Sequence, residues 1–463
     1  MESIYLNEVI QGVKGRCLKD TADIRLLGIS TDSRKVKKGD LFIALIGENF
    51  DGHDFIKSAV AKGAKAVLAS KYVELEPAVP IIMVEDTAQA LLDLAGFYRQ
   101  RFHEPVIAVT GSVGKTSTKD MISAVLSAKL QVHKTAGNFN NNIGLPLTIF
   151  QFEKSHDVLV VEMGMRGFGE IRSLTMAARP SIAVITNIGI SHLERLGSQE
   201  NILRAKMEVV EGLGEKGILM LNGNDPLLSK VSKNISAYLP EHFPKDSLPK
   251  IVYVAVEKEA DYTAYNLIDR GEAGVSFKVK LKGQEYQFHI PAVGEHHVSN
   301  ALFGIACGME LGLSPEEIVS GVGSFHGEKL RCDILEREGI KFINDSYNAS
   351  PDSMKAALNI LAKLAQGKRA VAVIGNIFEL GDMAGPGHFQ VGEMCRKLNV
   401  DFTAIIGENA QDVADGIGNK EKYRIFPNHE EIVDYLKGYL KKGDVVLIKG
   451  SRGMRMEKIL ELW

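Results

Sequence analysis

Twelve residues, Val106-Ile-Ala-Val-Thr-Gly-Ser-Val-Gly-Lys-Thr-Ser117, constrain this chain more than any other stretch. Val106 to Val109 is a short apolar run of the kind that forms a buried strand. A glycine turn follows, and Lys115-Thr116-Ser117 open a helical pattern that runs to Leu126. Glycines at 111 and 114 let the backbone N–H groups of Gly111, Ser112, Val113 and Gly114 turn inward at a helix N-terminus, which already favours an anion. Lys115 would reach the outer phosphates of a nucleotide, and the Thr116 hydroxyl would ligate Mg²⁺. The usual loop is G-x-x-x-x-G-K-[ST], and its first glycine falls on Val109 here. Taken alone, the shorter G-x-x-G-K-T also fits a glycine turn carrying a solvated lysine.

A strand that feeds a phosphate loop and a helix belongs in a parallel sheet with helical crossovers. The expected fold class is therefore α/β, and 463 residues exceed one ordinary core, so three domains are expected. The first covers 1–103, with strands in Leu41–Ile46 and Ala66–Leu68 and a helix over 54–64. It ends where Arg101-Phe-His-Glu-Pro105 leaves a helix, because the residue before proline is pushed out of helical geometry. The second, 104–313, is the phosphate-loop domain, with strands Asp157–Glu162, Ile182–Asn187 and Gly217–Asn222 and antiparallel ribbons from about 260 to 292. The third, 314–463, opens on the helix start Ser314-Pro-Glu-Glu317. It alternates helices with strands at Lys341–Asp345, Ala370–Gly375, Phe402–Gly407 and Asp444–Lys449, a second parallel, Rossmann-like sheet.

Charge narrows the partners. Lys and Arg total 55 against 58 Asp and Glu, net −3, with no basic block, which argues against nucleic acid. No run reaches the ~18 apolar residues of a membrane span, and the first residues lack the pattern of a signal peptide. Cys17, Cys307, Cys332 and Cys395 lie far apart, as buried thiols of a reducing compartment would. A cytoplasmic location is expected.

Several strands end in polar residues on the side where parallel sheets bind ligands. Glu162 closes one strand, and Ser191-His192 follows another. Each alone reads as an ion pair or a satisfied histidine; beside a phosphate loop they suggest a divalent-metal site. Ser30-Thr-Asp-Ser-Arg34 and Gly47-Glu-Asn-Phe-Asp-Gly-His53 are polar loops that suit a ligand, with Arg34 as a phosphate fork or, more blandly, a surface ion pair.

Together these stretches resemble the ATP-dependent Mur ligases. The resemblance rests on Thr110-Gly-Ser-Val-Gly-Lys-Thr-Ser117, Gly137-Asn-Phe-Asn-Asn-Asn-Ile-Gly-Leu-Pro146, Val161-Glu-Met-Gly164, Ser191-His-Leu-Glu-Arg-Leu-Gly-Ser198 with Ala205-Lys-Met-Glu208, Gly294-Glu-His-His-Val-Ser-Asn300, Asn344-Asp-Ser-Tyr-Asn-Ala-Ser-Pro351 and Lys449-Gly-Ser-Arg452. It covers nearly the whole chain, and the short loop is the family's own form. Asp345-Ser-Tyr-Asn-Ala-Ser-Pro351 looks like the form that adds D-alanyl-D-alanine to UDP-N-acetylmuramoyl-tripeptide, and the D-N-P-R segment of diaminopimelate-adding members is absent.

The resemblance implies a monomeric ligase that uses ATP and two Mg²⁺, with a UDP-sugar domain at the N-terminus contacting substrate through Ser33, Arg34, Asp51 and His53. It implies Lys115, Glu162, His192 and Lys206 as catalytic, and Thr116, Glu162, His192 and Lys206 around the metals, with Lys206 carrying a CO₂-derived carbamate. The plainer alternative is a helical Lys206 paired with Glu208 or Glu211. Asn138, Asn142, Tyr347 and Asn348 would line the substrate cleft; Asn300, Arg331 and Asp345 would hold the nucleotide. Lys449 and Arg452 stand between site and surface charge. Asn376 replaces a common Asp and His296-His297 a usual His-Asn, so no carboxylate role is assigned at 376 and no ligand role to either histidine. The rivals are another amide ligase of the superfamily, such as a folylpolyglutamate synthetase, and a regulatory phosphate-loop NTPase needing no Lys206. The third residue of the tripeptide, lysine or diaminopimelate, stays open.

Overall fold

The computed structural model describes residues 1–17, 24–75, 79–214, 216–240, 243–244, 247–327 and 329–463. Its largest sheet has nine strands, in the order Gln284–Ile290, Val275–Leu281, Tyr262–Asp269, Lys250–Val256, Ile218–Asn222, Ile182–Ile185, Val106–Thr110, Val158–Glu162 and Val132–Lys134. From Val132–Lys134 to Tyr262–Asp269 every neighbour is parallel; the last two strands add on as antiparallel ribbons. The phosphate-loop strand lies inside this sheet and is buried along its whole length.

Strand alternation divides the apolar residues of this sheet between its two faces. Val106, Ala108, Leu159, Val161, Ala183 and Ile185 point to one side. Ile107, Val109, Val158, Val160, Ile182 and Val184 point to the other. The first face is covered by the helices Gly144–Phe150, Glu170–Ala178 and Thr87–Arg99, the last reaching over from the N-terminal region. Leu91, Leu94 and Tyr98 therefore belong to one core with Leu145 and Leu174. The Tyr98 hydroxyl completes the join by donating to the Phe152 carbonyl at 2.9 Å. The second face is covered by Lys115–Leu126 and His296–Glu310.

The helix Pro315–Gly323 packs on this second face too. Ile318 and Val322 enter the core beside Val125, and a Cβ on Gly321 would lie 2.5 Å from the Val125 backbone. Its capping box, Ser314 with Glu317, is as expected, but a cap marks where a helix starts and not which core it joins. We therefore propose a third-domain boundary past Phe325 in place of 313/314, since Phe325 also lies in the central core.

The N-terminal sheet runs Arg16–Cys17, Ile81–Met83, Ala66–Ala69, Asp40–Ile43, Gly28–Ser30, parallel apart from its first strand. The third sheet runs Asp333–Arg337, Ile340–Asp345, Val445–Lys449, Ala370–Ile374, Phe402–Ile406, Tyr423–Phe426, again parallel after its first strand. Among the described residues all four cysteines are free thiols; Cys307 and Cys395 are buried as expected, whereas Cys17 and Cys332 are half-exposed. No described helix is long and apolar enough to cross a membrane.

Candidate active site

The phosphate loop has the geometry its sequence predicts. Gly111 has φ +150° and Gly114, the N-cap of helix Lys115–Leu126, has φ +83°. Any Cβ at Gly111 would stand 1.9 Å from Thr186 Oγ1, so that glycine is needed for space as well as for its backbone angle. The loop is clasped by the residues after strand Ile182–Ile185. Thr186 Oγ1 donates to the Val113 carbonyl at 2.6 Å, and Asn187 brackets the Val113 peptide, donating to its carbonyl at 3.0 Å and accepting from its N–H at 2.9 Å. Gly189 N–H donates to Ser112 Oγ at 2.9 Å. Asp225 holds that segment by accepting from Ile188 N–H at 2.8 Å. Sequence reasoning singled out none of Thr186, Asn187 or Asp225, because their roles arise only where strands meet. Lys115 Nζ donates to the Gly111 carbonyl at 2.8 Å. Burial pushes its pKa down, the charge of Glu162 draws it back up, and Arg331 lowers it again.

Glu162 ends the neighbouring strand and is buried. Its Oε1 accepts from Asn140 Nδ2 at 2.7 Å, while Oε2 is buried with no partner among the described residues. An orphaned carboxylate oxygen is costly unless a cation or donor joins it. Asn140 comes from the expected asparagine run, but it was Asn138 and Asn142 that were singled out; those side chains make no hydrogen bond among the described residues. No pattern in the run separates Asn140 from its neighbours; its place shows only in the structure, where a Cβ on Gly164 would crowd it at 3.0 Å.

Lys206 is 2 % exposed and has no hydrogen-bond or ion-pair partner among the described residues. The plainer alternative is therefore set aside. Glu208 instead accepts from the N–H groups of Gly169 (2.8 Å) and Arg172 (3.1 Å), and Glu211 pairs with the Arg172 guanidinium at 2.9 Å. Burial, with the nearby charge of Lys115, holds the Lys206 amine far below the ordinary lysine pKa. A neutral, unpartnered amine is the species that combines with CO₂. Among the described residues no three His, Cys, Asp or Glu side chains converge as a metal cage. A bound cation would draw on the Thr116 hydroxyl and Glu162 Oε2, with phosphate oxygens completing its shell; the orphaned Oε2 fits that demand.

His192, at φ +64°, precedes the short helix Leu193–Leu196, and its Nδ1 lies 2.9 Å from Glu379 Oε2 of the third domain. That hydrogen bond holds the Glu379 carboxyl below its ordinary pKa.

The third domain reaches the loop directly. Arg331 Nη2 donates to Thr116 Oγ1 at 2.8 Å, and its guanidinium lies 4.0 Å over the Tyr347 ring. Asp345, at the end of its strand, pairs with Lys449 at 2.5 Å; Lys449 Nζ also donates to the Asn348 carbonyl at 3.0 Å. Lys449 is only 2 % exposed, so it is no surface charge. Arg452 is exposed and paired with Glu457 at 2.9 Å, its N–H 3.4 Å from Asn348 Oδ1. Asn300 accepts from Thr118 Oγ1 at 2.9 Å and faces Gly114. His297 is buried against Phe325, and desolvation pushes its pKa far down. Asn376 is pinned by Asn409, whose N–H donates to Asn376 Oδ1 at 3.0 Å.

In the N-terminal domain Arg34 forms a two-point pair with Asp32 (2.9 and 3.0 Å), which lowers the carboxyl pKa to about 2. The surface ion pair is thus what the structure records for Arg34, and Ser33 offers its carbonyl to Lys62 at 3.0 Å. Asp51 bonds His53 Nδ1 and Lys71, each at 2.6 Å. His53 Nε2 accepts from Ser70 N–H at 3.0 Å, so this buried histidine is satisfied within the fold.

Three family models match in series: the Mur ligase family catalytic domain over residues 25–99, the Mur ligase middle domain over 109–308 and the Mur ligase glutamate ligase domain over 330–452. The UDP-N-acetylmuramoyl-tripeptide–D-alanyl-D-alanine ligase of Bacillus subtilis is 39% identical, the alignment covering 94% of this chain and 92% of that protein. The Escherichia coli enzyme of the same name is 32% identical over 99% and 98%. A crystal structure of MurF from Acinetobacter baumannii superposes with TM-score 0.90 at 29% identity, covering 100% of this chain and 99% of the other. MurF ligase from Thermotoga maritima in complex with ADP does so with TM-score 0.81 at 28% identity, over 94% and 96%.

Proposed function

The chain belongs to the Mur ligase family, and from that premise we infer that it is the ATP-dependent ligase joining D-alanyl-D-alanine to UDP-N-acetylmuramoyl-tripeptide, a step of peptidoglycan synthesis. The observation that carries the reading is the buried Lys206, which no side chain or carbonyl among the described residues engages, together with the orphaned Glu162 oxygen at the phosphate loop. A switch NTPase would have no use for that lysine.

Joining a carboxylate to an amine in water is uphill. The tripeptide's terminal carboxylate oxygen attacks the γ-phosphorus of ATP, ADP leaves, and an acyl phosphate results. The amine of D-alanyl-D-alanine then attacks the acyl carbon; a proton leaves the nitrogen and phosphate departs. The protein's task is to hold two anions together and to steady the charge that builds on them. The loop amides from Gly111 to Gly114 bind the phosphates, and Lys115 turns its ammonium toward the outer one. Thr116, Glu162 and a carbamylated Lys206, with His192 near a second ion, would hold Mg²⁺, which supplies charge neutralisation between γ-phosphate and carboxylate. Lys206 gains its carbamate when the neutral amine attacks CO₂ and releases a proton. Arg331, Asp345 and Asn300 border the nucleotide, with Lys449 steadying Asp345. Asn140 holds Glu162, and the N-terminal loops with Ser33, Arg34, Asp51 and His53 border the sugar nucleotide. Asn138, Asn142, Tyr347 and Asn348 face the substrate cleft. We further place the enzyme as a cytoplasmic monomer.

The test is phosphate release with product mass as readout. Release should require both UDP-N-acetylmuramoyl-tripeptide and D-alanyl-D-alanine and yield the pentapeptide. Release that ignores both substrates would return the chain to the NTPase reading.

A further inference from the structure

His192 and Glu379 meet across two domains with unusual backbones. Both are non-glycine residues in the left-handed region, φ +64° and +63°, a conformation that is uncommon outside glycine and persists where the surroundings enforce it. The surroundings of Glu379 do so. Its loop leaves strand Ala370–Ile374, and Ile377 and Leu380 on either side are buried in the third-domain core. Ile377 N–H donates to His388 Nε2 and Phe378 N–H to Ser451 Oγ, each at 2.9 Å. Two residues on, Gly381 has φ +53°, and a Cβ there would stand 2.6 Å from Glu194 Cγ on the short helix behind His192. The loop is thus shaped to press against that helix and aim one carboxylate at the imidazole. Arg166 Nε, 4.0 Å away, flanks the same carboxylate.

We propose that Glu379 is a positioning residue for His192, fixing its ring and its tautomer from the opposite domain. A carboxylate accepts and cannot donate, so the 2.9 Å contact places the proton of a neutral imidazole on Nδ1 and leaves the lone pair on Nε2. A histidine ligand is commonly oriented in this way, through its second nitrogen. The consequence is specific to this architecture. His192 is ready to bind a cation only when the third domain is docked, so closure over the nucleotide and completion of the metal site become one event. This inference rests on the reading of His192 as a metal-side residue.

The experiment counts Mn²⁺ bound in the presence of a non-hydrolysable ATP analogue, by electron paramagnetic resonance of free Mn²⁺, for the full chain and for His192→Ala, Glu379→Ala, Glu379→Asp and the double alanine variant. Glu379 is half-exposed in its loop, so unchanged melting curves serve as the folding control. Expected is a loss of affinity at one of two sites by about 10- to 100-fold in Glu379→Ala. Partial recovery is expected in Glu379→Asp, and no further loss in the double variant beyond His192→Ala. Two sites of unchanged affinity in Glu379→Ala, with one lost in His192→Ala, would overturn the positioning role alone. Two unchanged sites in His192→Ala would overturn the metal-side reading and the inference with it.

Discussion

Lys206 is the residue that most separates fold from function. An amine buried without a partner destabilises the chain that carries it, and the linkage has a definite sign. Its folded pKa is held well below 10.5, so unfolding takes up a proton wherever the pH lies between the folded pKa and 10.5. The penalty is therefore present at neutral pH and fades as the pH rises toward 10.5. Lys206→Met should raise stability at pH 7 by about 1–3 kcal/mol in metal- and bicarbonate-free buffer. The advantage should shrink by pH 10, and ligase activity should be abolished and not restored by bicarbonate. Calorimetric melts at both pH values read this; a melting temperature at pH 7 no higher than that of the parent would mean the amine is satisfied. Sequence alone could not choose between this lysine and an ion-paired one. Residues two apart on a helix do not face each other, which already weakens a pair with Glu208, but only the structure shows Glu208 and Glu211 engaged elsewhere.

At the scale of elements, legibility followed locality. The strand, turn and helix of the phosphate loop were readable because every requirement lies within twelve residues: an apolar run, two glycines and a helix start. The apolar runs of the third sheet were readable for the same reason. The strands that no expectation covered are short or peripheral, such as Gly28–Ser30, Ile81–Met83 and Val132–Lys134, where two or three residues carry little periodicity. Lys250–Val256 was missed for another cause: it pairs parallel on both sides and yet adjoins the antiparallel ribbons. The clasp on the loop was equally invisible, since Asn187 acts 74 positions from Val113. Its amide replaces a backbone neighbour, donor and acceptor together. Asn187→Ala leaves both Val113 groups without it, and the Kd of an ATP analogue should rise about tenfold or more. Asn187→Asp keeps the acceptor, loses the donor and adds charge beside the phosphates, so it should bind more weakly still. Calorimetric titration with the analogue decides the order, with binding of the UDP-linked substrate as the control that should not move.

For the whole molecule, the telling contacts are those that tie the third domain to the central sheet. Glu379 meets His192, Asp352 approaches Gly189, and Lys363 and Lys341 pair with Asp269 and Glu272 at the far side. Arg331 is the one that reaches the phosphate loop, 215 positions from Thr116 in sequence; the resemblance puts it beside the nucleotide, and its bond to the Thr116 hydroxyl is what only the structure adds. Its planar guanidinium does two things at once, stacking on Tyr347 and donating to the Thr116 hydroxyl. Arg331→Lys separates charge from shape. A lysine keeps the positive charge but loses the planar fork and the stacked face. If Arg331 only supplies charge to the nucleotide, kcat/KM for ATP should be little changed. If it aligns the two domains over the loop, the loss of a charge-assisted contact should lower kcat/KM for ATP by about 10- to 100-fold. The KM for the UDP-linked substrate, which we propose binds the N-terminal domain, should stay the same. We expect the second outcome, because closure demands a fixed geometry between two separately folded sheets and a flexible ammonium cannot impose one. Steady-state kinetics on this variant, with each substrate varied in turn, would distinguish the two.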